Sequence, residues 1–507
     1  MSKLILRLLA CSVITLILPS PLIAARSNLI GAGIGVGLDL SERTNKDIVD
    51  DPETEQDESA QITGEDDYRR IVIAPLVYVT STTQRDSFEL RAAPQIKYDM
   101  LGYGTDWNSD FFIGGQRFIT KEWEIQASNA FRIDDYYQTD SIATGSSATA
   151  TTEQPSVSTD PELSSDIGRQ RYWRNTLKLA SDYTYRQDSL WGLDFDYIVL
   201  RYDDDERRRF DDYDRYLLGG RNEHRFNSEW STELSLQFIR GDFEETDPEV
   251  AAAVIDELAP GSDFTPAEED LSNDLQEYRL LASLVSSRYD RNPLRLTYNY
   301  IGARYDEPLQ DDGDIHQARF TWERLYSEHL TSRLGLGPSY EMTEGQDANW
   351  GGNGVAELNY QGQRNSLRAL LDKRYDVDNF SGTFRRGFVD SWNARLDYTH
   401  QPLKDLNLTA YLAYIYEDRE QPIVGVSRVI DEGSAGQQIT DSEFNELQKY
   451  HRDRYQAGIG INYNFLQNYS ALISYIFTRQ ESDLAFDNYD ENRLLLFISW
   501  QQDLLRW

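Results

Sequence analysis

The chain has 507 residues, a formal net charge of −36 and a mean hydropathy of −0.62, yet it carries 32 Tyr, 20 Phe and 10 Trp. The acidic balance and the absence of basic runs exclude DNA or RNA as partners. Beyond the N-terminus no stretch approaches the roughly 20 apolar residues of a spanning helix, and the only cysteine is Cys11, so disulfides and thiolate metal sites are excluded.

The N-terminus has Lys3 and Arg7, an apolar run from Leu8 to Leu18, then Pro19, Pro21 and the small pair Ala24 and Ala25. A basic start, a short apolar middle and small residues at the cut predict a secretory signal peptide over 1–25, leaving 26–507 as one exported unit. Leu8-Leu9-Ala10-Cys11 has the look of a lipoprotein cut site, but Arg7 interrupts the apolar residues ahead of it.

From there the chain alternates. Ile30, Ala32, Ile34, Val36, Leu38 and Leu40 share one parity; four glycines and Asp39 share the other. Trp191, Leu193, Phe195, Tyr197 and Val199 alternate with Gly192, Asp194, Asp196 and Ile198. The same holds for Trp230–Phe238, for Leu294–Tyr300, and for Tyr455–Phe465, where Ile459 and Asn462 fall on opposite faces. The closing run Leu494, Leu496, Ile498, Trp500 continues the pattern, and its strand ends at Trp500 or runs on towards Trp507. A period of two means strands with one apolar face.

The connections decide the architecture. Short ones (such as 82–87, 120–122, 187–189 and 467–468) alternate with long ones near 43–68, 134–171, 243–274 and 417–452 and briefer ones near 99–107, 203–212, 306–314, 342–352, 376–389 and 480–491. Short/long alternation predicts an all-β fold: a transmembrane antiparallel up-and-down β-barrel of about 20 strands (roughly 18–22), with short periplasmic turns, long outer loops and both termini periplasmic. Trp123, Trp191, Trp230 and Tyr469 follow short turns, whereas Tyr202, Tyr305, Tyr340, Tyr375 and Tyr416 precede long connections. These rings are expected at the two membrane–water boundaries. Pro75, Pro94 and Pro338 interrupt the pattern and predict bulges or barrel ends.

The loops read as solvated. Glu42–Asp67 holds 11 acidic residues against Arg43 and Lys46; divalent-cation binding is the functional alternative. Ala143–Ser165 is low-complexity. Asp247-Pro248-Glu249, Thr265-Pro266-Ala267-Glu268 and Thr440-Asp441-Ser442-Glu443 are helix starts, so short helices could cap or enter the mouth. The cluster Arg201–Tyr216 fits a charged hairpin, with Arg207, Arg208 and Arg209 as a candidate outer rim.

Glu89, Lys97 and Glu124 fall on the polar parity, with the candidate lumen residues Arg91, Asp194, Asp196, Arg295, Arg333, Arg368, Asp372 and Arg374. A barrel this wide cannot be filled by side chains, so water or loops must occupy it, and mixed charges there pair or select solutes. His316 and His451, with Asp311, Asp312, Asp314 and Asp453 nearby, supply acid–histidine material but no serine at a telling spacing.

The tyrosine-paired strand cores (Tyr183-Thr184-Tyr185, Tyr298-Asn299-Tyr300, Tyr414-Ile415-Tyr416) and the close "FDNYDENRLLLFISW" give most of the mature chain a family look. It resembles the β-barrel porins of Gram-negative outer membranes that accompany exopolysaccharide or exosortase systems. The resemblance implies a channel for small solutes or a polysaccharide, working in outer-membrane lipid and lipopolysaccharide after insertion by the barrel-assembly machinery, with no catalytic residue and no cofactor. Two other readings stay open: a structural or adhesive barrel with a plugged lumen, and a barrel hydrolase.

Overall fold

A computed structural model describes residues 27–45, 67–102, 104–134, 171–202, 212–243, 274–288, 291–306, 312–343, 348–380, 387–419, 450–482 and 488–507. Twenty strands form one sheet. The first seven are β1 (Ser27–Asn45), β2 (Tyr68–Thr82), β3 (Asp86–Asp99), β4 (Thr105–Phe118), β5 (Trp123–Asp134), β6 (Tyr172–Arg186) and β7 (Ser189–Tyr202). Then come β8 (Tyr213–Arg225), β9 (Trp230–Phe243), β10 (Leu275–Ser286), β11 (Leu294–Tyr305), β12 (Gly313–Ser327), β13 (Leu330–Thr343) and β14 (Asn349–Gln361). The last six are β15 (Asn365–Val377), β16 (Phe388–Leu403), β17 (Leu406–Arg419), β18 (Tyr450–Phe465), β19 (Tyr469–Ser482) and β20 (Tyr489–Arg506).

Each strand pairs antiparallel with the next, and β20 closes on β1 from Leu29↔Arg506 to Asn45↔Tyr489. The last strand therefore runs past Trp500, and Trp507 still exchanges backbone hydrogen bonds with Asn28 at 2.9 and 3.1 Å. Closure leaves no free edge at the seam, where each unmatched backbone group would cost several kcal/mol in lipid. The connections alternate short and long, except that the β10–β11 connection (287–293) equals the β11–β12 one (306–312) at seven residues, and both described ends lie at the short-turn end.

Register fixes which side chains face in. Ile34, Val36, Leu38, Leu193, Leu336, Leu412, Ile459 and Ile498 are exposed on the outer face, as are Trp123, Trp191, Trp230 and Tyr469. An apolar surface of this extent around a circumference needs an apolar medium. The inward glycines of β1 make room for rings: a Cβ on Gly37 would overlap the Phe497 ring, and one on Gly31 that of Tyr78.

The prolines act where they fall. The β2–β3 ladder breaks between Ile73↔Ile96 and Val77↔Ala92, a gap that holds both Pro75 and Pro94. Opposite Pro338 the β12–β13 ladder skips from Gln317↔Ser339 to Phe320↔Leu336, and the Asn353 amide donates to the freed Ala318 and Pro338 carbonyls at 3.3 and 2.9 Å. The three expected helix starts lie outside the described residues.

The wall opens between two strands at the long-loop end. The β14–β15 ladder stops at Gly354↔Lys373, although β14 continues to Asn349 and β15 to Val377. Beyond that point β15 stays paired with β16 up to Val377↔Phe388, and β16 with β17 up to Val389↔Arg419, so the sheet stays continuous on the β17 side while the outer end of β15 parts from β14 and lies in the lumen. The outward-parity residues Tyr375, Val377 and Phe388 pack on Ile301, Ala303 and Ile315, which are inward residues of β11 and β12.

Candidate functional site

The lumen has two halves, and the inward hairpin separates them. At the long-loop end, Tyr172, Ile198, Leu200, Tyr213, Leu217, Ile239, Phe243 and Leu275 form an apolar patch on the inner face of β6–β10. Phe380, from the segment after β15, inserts into this patch against Tyr213 and Phe243, with ring centroids 5.4 and 5.7 Å away. The Arg215 guanidinium lies 5.0 Å over the same ring.

Polar contacts fasten the hairpin to several strands. Tyr213 Oη donates to the Phe380 carbonyl at 3.2 Å, and Asn379 Nδ2 donates to Glu277 Oε1 at 2.8 Å. Tyr305 Oη donates to Asn379 Oδ1 at 2.9 Å, and Gln317 Nε2 to the Tyr375 carbonyl at 2.5 Å. Arg279 pairs with Glu277 at 3.0 Å and with Asp376 at 3.3 Å. Arg419 pairs with Asp378 and shares Glu417 with Arg452. Glu277 is 0% exposed; a buried carboxylate persists only with partners such as these.

Three tyrosines are therefore corrected. Tyr202, Tyr305 and Tyr375 do not stand at a membrane boundary; they face the lumen and pack on the two apolar clusters. Tyr340 and Tyr416 do lie on the outer face, Tyr340 beside Trp350 at 4.7 Å and Tyr416 beside His451. The element that enters the lumen is also different: sequence reasoning looked to the 243–274 and 417–452 connections, which lie largely outside the described residues, and treated 376–389 as a brief outer one.

The inner face is also charged, and both signs stand on each wall. On β6–β9 the carboxylates Asp182, Asp194, Asp196, Glu223 and Glu233 share the inward parity with Arg174, Lys178, Arg215, Arg221 and Arg225. On β11–β16 the guanidinium groups Arg295, Arg319, Arg333, Arg368, Arg374 and Arg395 share it with Glu323, Glu341, Glu357, Asp372, Asp376 and Asp397. Local pairs hold each wall: Arg221–Asp182 at 2.6 Å, Arg333–Glu357 at 3.0 Å, Arg368–Glu357 at 2.8 Å and Arg319–Asp372 at 3.9 Å. Arg295 pairs with Glu233 where the walls meet. Arg374 reaches Asp376 at 4.0 Å, and Arg91 pairs with Asp110 on the far side at 3.0 Å. A cavity of about 690 Å3 lies on the inner face of β2–β10, lined by Gln116, Lys178, Asp194, Asp196, Arg221 and Glu233 among others.

All eight candidate lumen residues thus stand on the inward parity. Two inner contacts escaped the sequence reading because their partners lie at opposite ends of the chain: Asp39 binds Arg493 through both carboxylate oxygens at 2.9 Å, and Ser41 donates to Glu491 at 2.8 Å. Arg207, Arg208 and Arg209 lie outside the described residues. His316 and His451 fall on the outer face. His316 Nδ1 meets Tyr298 Oη at 2.8 Å, and His451 Nδ1 lies 3.1 Å from Tyr416 Oη and 3.3 Å from Asp418. Their neighbours are engaged elsewhere: Asp314 binds Arg304, and Asp453 accepts from Tyr414 Oη. Asp311 lies outside the described residues.

No family model and no curated protein matches the chain. Among solved structures it is similar to Pseudomonas aeruginosa OpdQ, with 12% identity over 94% of this chain and 98% of that one and a TM-score of 0.38. It is similar to Acinetobacter baumannii OccAB3, with 10% identity, 93% and 99% covered and a TM-score of 0.40. It is also similar to the siderophore receptor PirA from Pseudomonas aeruginosa, with 9% identity, 93% and 80% covered and a TM-score of 0.43.

Proposed function

We propose that the protein is an outer-membrane channel for hydrophilic solutes, narrowed at its long-loop end by the β15–β16 hairpin. The observation that carries this reading is the charged lumen: carboxylates and cations together on the inward parity of both β6–β9 and β11–β16, and a cavity of about 690 Å3 on the inner face of β2–β10. Fixed charges of both signs facing a cavity orient and filter polar solutes. A barrel that served only as a scaffold has no use for them. In this reading the first 25 residues direct export, the assembly machinery recognises β20, and the long connections face the cell exterior among lipopolysaccharide. Protease added to whole cells then cuts within 134–171 and 243–274; cleavage only from the periplasmic side reverses the orientation.

Acidic oligosaccharides are the solute class favoured within this reading. Arginine offers several donors to carboxylate and hydroxyl groups, and aromatic faces pack on sugar C–H surfaces. The resemblance to exopolysaccharide-associated porins points the same way. The test is planar-bilayer conductance of the refolded protein with oligosaccharides added to one side. A steady current blocked in a concentration-dependent way supports the channel and its solute; a current indifferent to every oligosaccharide leaves general diffusion. Silence favours the second reading, a plugged structural barrel, for which the buried contacts of Glu277, Asn379 and Phe380 speak.

A further inference from the structure

We propose that the outer end of β15, carried with the β16 and β17 ends to which it stays paired, has two seats: the lumenal one described above, and a second one in the wall against β14. β14 starts at Asn349 and its first partner on β15 belongs to Gly354, so five residues, Asn349 to Asn353, lack a β15 partner. Continuing the register from Gly354↔Lys373 sets Gly352 opposite Tyr375, Gly351 opposite Asp376 and Trp350 opposite Val377. The vacant edge and the displaced strand are thus matched in length and phase.

The side chains fit both seats. In the wall, Tyr375, Val377 and Phe388 keep the outward parity of Leu371 and Trp392, which they share with the Lys373–Asp390 ion pair at 3.1 Å, and join the ring belt of Tyr340 and Trp350, where rings and snorkelling charges suit the lipid boundary. Arg374 and Asp376 take the inward parity, where they meet water. The alternation of this segment is therefore that of a wall strand, although its observed place is the lumen. In the lumen the same apolar face covers Ile301, Ala303 and Ile315, and the polar face finds Arg279 and Arg419. Gly351 and Gly352 on the receiving edge carry no side chain: a Cβ on Gly352 would meet only the Gly337 carbonyl, at 3.7 Å, while the Tyr375 ring lies against Gly351 in the lumenal seat and would have to leave it. Two discrete packings of one element, each satisfying the same residues, make a switch rather than a loose loop. Moving the hairpin to the wall clears the lumen and bares the apolar patches, so the lumenal seat is the resting one.

This inference rests on the channel reading for its consequence but not for its test. The only cysteine is Cys11, so introduced thiols are the only ones beyond the N-terminal segment. Trp350→Cys with Val377→Cys reports the wall seat by disulfide formation, because directly opposed residues bring their Cβ atoms within about 4.5–5.5 Å. Gly241→Cys with Phe380→Cys, bridged by a short bis-maleimide that alkylates both thiols, reports the lumenal seat and shows that the barrel has folded. Both pairs are expected to link in lipid bilayers, as read by peptide mapping. The wall-linked form should conduct about twofold or more above the lumen-linked form, an effect reversed by reductant. Linking of Gly241/Phe380 without any linking of Trp350/Val377 overturns the second seat. Linking of both pairs in a barrel that passes no current upholds the two seats and removes the channel reading.

Discussion

Two regions of one inner wall follow different rules. Along the lower part of β7, Asp194 and Asp196 face inward while Leu193 faces out, and a cavity lies in front of them. A few residues further on, Ile198 and Leu200 occupy the same inward parity and are 0% exposed, because Phe380 and its neighbours fill the space. Strict alternation marks wall that faces water; a run apolar on both parities marks wall that faces protein. The contrast separates the part of the barrel built for passage from the part built to hold the hairpin.

The largest expected effect breaks the protein-filled region. Glu277→Ala removes the shared partner of Arg279 and Asn379, leaving a buried guanidinium with less compensation. Losing one member of a buried pair costs about 3–5 kcal/mol, so the hairpin should leave its seat and the 375–380 amides should lose hydrogen-exchange protection. Unchanged protection would mean that the apolar contacts alone hold it. Next in size is the contrast between faces. Ile459→Arg puts a charge on a lipid-facing position and costs about 2–4 kcal/mol near the midplane, whereas Asn462→Arg meets the lumen and should fold nearly as wild type. Folding yields into vesicles measure both; equal yields would contradict the facing assignment. The smallest effect is expected in the water-facing region. Arg91 and Asp110 form a half-exposed pair, and Arg91→Ala should change stability by about 0–1 kcal/mol, read from denaturant titration in lipid. A loss as large as that of Glu277→Ala would place Arg91 in a dry environment.

The barrel itself was legible because its signals are local. Alternation, turn spacing and ring placement each act within one hairpin, and they suffice for twenty strands and for the facing of Arg91, Asp194 or Arg368. The inward hairpin was not legible, since Arg374–Asp378 alternates like any wall strand and its departure depends on Ile301, Ile315, Tyr213 and Glu277, far away in sequence. A faint signal did exist. Tyr197-Ile198-Val199-Leu200 and Tyr216-Leu217-Leu218 are apolar on both parities, as a strand covered on both faces must be. The boundary assignment of Tyr202, Tyr305 and Tyr375 failed for the same reason: position before a long connection says how high a ring sits, but only register says which way it points.

The central claim is that a charged, water-filled lumen is narrowed by the β15–β16 hairpin. Tyr375 and Asp390 already face each other in the ladder, so joining them by a tight turn removes the segment between them without disturbing the strands below. Single-channel conductance of this shortened protein, compared with the full chain in the same bilayer, is the direct test. The account predicts a steady current clearly larger than that of the full chain; equal currents, or silence from a barrel shown to be folded, would contradict it.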